Sequence, residues 1–155
     1  MAKEYTADII AKWFLTRSSM SPKKLQKMIY YAYSWVLTLM NDNSSDLQNK
    51  LFDDEFEAWV HGPVIRSIYA EYADYGYHDI EEYVGRKSPE VSADIEDILE
   101  QVRDVYGGYT ADELESITHQ ESPWKRARAG LSTLDSSNNK ISDADIFNCY
   151  IKRVA

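Results

Sequence analysis

A chain of 155 residues with 44% hydrophobic content, twelve tyrosines and four tryptophans has apolar surface enough for one cooperative domain and too little length for two ordinary ones. Its formal net charge of -9 opposes any phosphate backbone, so nucleic acid is not expected as a partner, whereas a basic or mixed-charge protein surface is favoured. The single Cys149 excludes an internal disulfide and a multi-thiolate metal site, no run approaches the roughly 18 apolar residues that cross a bilayer, and the N-terminus lacks a signal-peptide layout, so a cytoplasmic protein without membrane contact is expected.

Thr6 can cap a first helix in which Ile9, Ile10, Trp13 and Phe14 recur at helical spacing, with Tyr5 and Ile10 stapling its start and Arg17 near its end. Ser21 and Pro22 then open the strongest helix signal. Leu25, Met28, Ile29, Ala32, Trp35, Val36, Leu39 and Met40 share one face, and Tyr30, Tyr33 and Leu37 extend it, leaving Lys24, Lys27, Ser34 and Thr38 as the polar strip. A helix so nearly apolar all round belongs in the middle of a bundle. After the turn residues Asn41 to Asp46, alternation around Glu55 to Val60 allows a short strand, and Gly62-Pro63 is expected to open a helix with Val64, Ile65, Ile68, Tyr69 and Tyr72 inward.

Pro89 is expected to start a further helix that packs through Val91, Ile95, Ile98, Leu99, Val102, Val105 and Tyr106 and stops at Gly107-Gly108. Thr110 with Glu113 is a capping box for a helix to about His119, and Ser122-Pro123 starts a short basic helix through Arg128. Gly130 to Lys140 reads as a mobile loop, and Ser142 caps a terminal helix carrying Ile146, Tyr150 and Val154. The fold class is therefore mainly α: a compact single-domain bundle of six or seven helices, with room for a short strand pair near Glu55-Val60.

No catalytic signature stands out. Cys149 has no histidine near it in sequence, and neither a Gly-x-Ser-x-Gly elbow nor a glycine-rich phosphate loop is present, so no catalytic residue, metal or cofactor is assigned. His61 and His119 with nearby carboxylates could serve a metal-dependent hydrolase if three or more converged, but they lack the spacing that puts two imidazoles on one helix face. The basic run Lys125, Arg126 and Arg128 reads as intramolecular pairing with Glu121 or with the acidic helix after Pro89.

Three blocks carry a resemblance: LQKMIYYAYSW from Leu25, LFDDEFEAWVHGPV from Leu51, and THQESPWKRAR from Thr118. Together, in this order, they resemble the Panacea domain family, small and largely helical proteins of bacterial and phage toxin-antitoxin pairs. The resemblance implies a non-enzymatic antitoxin that neutralises a cognate protein toxin, encoded by an adjacent gene, through direct contact. A phage-borne proteolytic adaptor is a further alternative, and a homo-oligomer is left open. It also implies a Panacea-like helical domain over residues 1–130, with residues 131–155 a loop and C-terminal helix packed on it. The candidate partner-binding or motif residues are Glu57, Trp59, His61, Gly62, Pro63, His119, Glu121, Pro123, Trp124 and Arg128. A single buried network joining Glu57, His61, His119 and Glu121 would serve equally well as their role.

Overall fold

The computed structural model describes residues 5–154. Seven helices and one short hairpin follow one another as α1 (Ala7–Arg17), α2 (Pro22–Leu39), β1 (Glu57–Trp59), β2 (Gly62–Val64), α3 (Arg66–Tyr72), α4 (Ala93–Tyr106), α5 (Ala111–Gln120), α6 (Ser122–Ala127) and α7 (Asp143–Tyr150). Local capping chemistry sets five of the helix starts: the Thr6, Ser21, Ser92 and Ser142 hydroxyls accept from the backbone N–H groups of Ile9, Lys24, Ile95 and Asp145, and Thr110 and Glu113 complete both halves of a capping box.

Helix α2 is the axis of the molecule. It packs against α1, α3, α4, α5, α7 and β2, so even its polar strip is largely enclosed. Lys27, Ser34 and Thr38 are buried, as is Gln26. Enclosure is tolerated where the polar atoms find local acceptors: Thr38 Oγ1 donates to the Ser34 carbonyl, Lys24 Nζ to Gly107 O at 2.6 Å, and the Gln26 amide both accepts from Ile65 N and donates to Ile65 O at 3.0 Å. At the other end of α2 the expectation fails, because Leu39 and Met40 overrun the bundle and are exposed.

The strand expectation is met by an antiparallel pair in which Glu57 faces Val64, Ala58 faces Pro63 and Trp59 faces Gly62. The free edge of β1 is covered by the chain beyond Asn139: Ala58 N donates to Asn139 O and Ile141 N to Phe56 O. Gly62-Pro63 therefore continues the hairpin and does not open a helix. The α3 helix begins only at Arg66, which rotates Tyr69 outward to 52% exposure. Helix α4 likewise begins at Ala93, not at Pro89, because Ser92 provides the capping hydroxyl for Ile95 N. The stretch from Pro89 is compatible with proline's fixed φ without being helical. Val105 and Val154, expected inside, are exposed.

Candidate functional site

The hairpin brings most of the sequence-predicted residues to one end of α5 and α6, but into three separate arrangements and not one network. In the first, the Glu57 carboxylate is buried and accepts from Trp59 Nε1 at 2.9 Å, from Arg66 Nη2 at 2.9 Å and Nε at 3.2 Å, and from Lys140 Nζ at 3.4 Å. The Arg66 guanidinium leads in holding this carboxyl below its ordinary range, with help from Trp59 and Lys140 against the opposing effect of burial. Glu57 thereby ties the hairpin to α3 and to the segment covering β1.

In the second arrangement, α6 clasps the back of the hairpin. Trp124 Nε1 donates to Trp59 O at 2.8 Å, and the His119 imidazole stacks on the Trp124 ring at 3.9 Å and 15°. The buried Arg128 guanidinium donates to four carbonyls: Ala58 at 2.9 Å, Ser132 at 3.1 Å, Thr133 at 3.4 Å and Asp135 at 2.6 Å. It fastens the first turns of the loop after Gly130 to β1. Pro123 is buried at the start of the same helix. Burial lowers the His119 pKa against the opposing pull of Glu115 and the Val60 backbone, so the ring is favoured in its neutral form.

The third arrangement lies apart from the hairpin. Glu121 Oε1 accepts from Tyr31 OH at 2.9 Å and Tyr150 OH at 2.8 Å, while Oε2 accepts from Arg153 Nη2 at 2.7 Å. This buried carboxylate joins α2 to the end of α7. Glu121→Gln keeps the shape but loses the charge-assisted bond to Arg153, and a loss of about 1–2 kcal/mol is expected. Urea unfolding with Arg153→Met as the paired variant checks it, the double mutant losing less than the sum of the singles.

His61 stands outside all three. Its side chain is 72% exposed at the hairpin turn, with Nδ1 2.9 Å from Glu115 Oε1. Beside it Gly62 has φ +115, and a β-carbon built there would lie 2.6 Å from Lys27 Cε. Among the described residues no three His, Cys, Asp or Glu side chains gather as a metal-binding group, so His61 and His119 do not assemble the ligand set a metal-dependent hydrolase needs. The basic run pairs within the chain but with other partners than expected: Arg126 Nε meets Asp145 Oδ1 at 3.0 Å, and Arg128 meets backbone carbonyls.

A family model described as antitoxin SocA-like, Panacea domain, matches residues 25–125. The chain belongs to this family. The Panacea match runs from the first turn of α2 into α6 and includes every predicted site residue except Arg128, three residues beyond its end. Neither a curated protein nor a solved structure matches the chain. No helix among the described residues of this Panacea protein is long and apolar enough to cross a membrane.

Sequence reasoning missed the partners that give the site its shape: Arg66 and Lys140 for Glu57, Glu115 for His61, and Tyr31, Tyr150 and Arg153 for Glu121. It also missed Lys27, whose signal was present in the sequence as a lysine within an almost wholly apolar helix.

Proposed function

We propose that this chain is an antitoxin that neutralises a protein toxin by direct contact through the face around the hairpin turn. Membership of the antitoxin SocA-like Panacea family is the observation that carries the reading. What supports the choice of face is its mixture of rigid support and exposed aromatic surface. Glu57, Gly62, Pro63, Trp124 and Arg128 are buried and fix the hairpin, while His61 stands out from its tip. Tyr69 and Tyr77 lie on the same side at 52% and 96% exposure, around a common pocket with Trp59 and His61. Exposed tyrosines on a fixed frame provide anchors at low cost in side-chain entropy.

Covering a toxin requires no covalent step, only a complementary patch of roughly 800 Å² per partner. The net charge of -9 favours association with a toxin that carries a basic cleft. Co-expression with the product of the adjacent gene is expected to rescue growth and to yield a complex that co-purifies. Tyr69→Ala combined with Tyr77→Ala is expected to weaken that complex about 30-fold or more, equivalent to about 2 kcal/mol, without lowering the thermal midpoint. A harmless neighbour, or recovery of a host protease in place of a toxin, counts against this reading and, in the latter case, favours an adaptor.

A further inference from the structure

Between the start of α2, the hairpin and α3 lies a pocket of about 380 Å³. Its walls include Trp59, Val64, Ile68 and Tyr69, and Lys23 and Lys27 line it from α2. The two lysines differ. Lys23 Nζ is held at 2.7 Å by both Asp112 and Glu115. Lys27 is 1% exposed, and its amine has neither a hydrogen bond nor an ion pair among the described residues. The end of the Lys27 side chain is pressed beneath Gly62, whose lack of a β-carbon makes the space. A lysine held almost wholly out of water without an acceptor is destabilising, and an anion delivered through the pocket relieves it.

We propose that this pocket binds a small organic acid, with the carboxylate at the Lys27 amine and an apolar, flat body against Trp59, Ile68 and Tyr69. A largely apolar pocket of this size with one uncommitted polar group at its base matches the usual form of a small-molecule site. The charged and titratable groups around the amine are Lys23 from its own helix, Glu115 and His119 from α5, and His61 at the hairpin tip, which pairs with Glu115. Glu115 is already shared between Lys23 and His61, so the entering carboxylate meets no stronger competitor for Lys27. This inference goes beyond toxin neutralisation and is tested on the chain alone, so either can fail without the other.

The experiment is calorimetric titration of the full chain with 3-phenylpropionate and with its uncharged amide. The acid is expected to bind at least tenfold more tightly than the amide near neutral pH. Its affinity should then fall by up to about tenfold per pH unit above pH 7, as protonation of the amine becomes a cost of binding. Lys27→Met should bind acid and amide alike and lose the pH dependence, with its circular dichroism unchanged. Enrichment with ¹³C at the lysine ε-carbons supplies a second readout in the unaltered chain, a single buried ε-carbon resonance moving on addition of acid. Equal binding of acid and amide, no binding of either, or acid binding undiminished by Lys27→Met overturns the proposal.

Discussion

Lys27→Met is expected to stabilise the ligand-free fold by about 3–5 kcal/mol below pH 7, with the pH-dependent part of the gain gone above pH 10.5. Burial, reinforced by the nearby Lys23 charge, lowers the Lys27 pKa from 10.5 to about 7, while Glu115 opposes the shift weakly. Above pH 10.5 the amine is neutral in both folded and unfolded chains and the shift has no consequence. Between about 7 and 10.5 the unfolded chain binds the proton and the folded chain does not, so stability of the natural protein rises with pH across this window. Below about 7 both forms are charged, and the full desolvation penalty falls on the folded state. Methionine has similar reach and no charge, so it removes the penalty and keeps most of the packing beneath Gly62. Chemical denaturation of both proteins at several pH values measures the difference. A destabilised variant, or a gap that does not change with pH, would show that the amine has an acceptor in solution.

The same lysine marks the boundary of what the sequence makes legible. Helix starts at Thr6, Ser21, Thr110 and Ser142 were readable because a capping hydroxyl acts on a backbone N–H three residues away. The central place of α2 was readable because its apolar residues run nearly round the helix. That same fact implied that its few polar residues would also be enclosed, which periodicity alone, by assigning them to a polar strip, concealed. Pro63 and Pro89 misled for a different reason: a fixed φ near -65° suits the first turn of a helix and an extended segment equally.

Within the candidate site, legibility ended where partners are distant in the chain. Glu121 finds Tyr31 across 90 residues and Arg153 across 32, and no local pattern connects them. The expected single network of Glu57, His61, His119 and Glu121 divides because the hairpin sends Glu57 toward α3 and His61 into solvent, while the turn between α5 and α6 directs Glu121 toward α2 and α7. The shared block of motifs is thus a frame with several fixings, and its exposed parts are few.

Gly62→Ala is expected to destabilise the fold by about 3–4 kcal/mol, a large effect for the addition of one methyl group. Two independent causes combine. At φ +115 the backbone occupies a region that residues with a β-carbon rarely adopt, which contributes about 1–2 kcal/mol. The added methyl would also meet Lys27 Cε at 2.6 Å and Thr118 Oγ1 at 3.1 Å, and the lysine, buried beneath the hairpin turn, has to move from its packed position. A double-mutant cycle separates the two. In a Lys27→Ala background the closest clash is gone and the backbone cost remains with only the looser Thr118 contact beside it, so Gly62→Ala should there cost about 1–2 kcal/mol, a coupling of about 2 kcal/mol between the positions. Additive effects would mean that Lys27 yields freely and that backbone conformation alone requires the glycine. Coupling of the expected size would show that the hairpin turn and the buried amine are fitted to one another, with the glycine serving as the roof over Lys27.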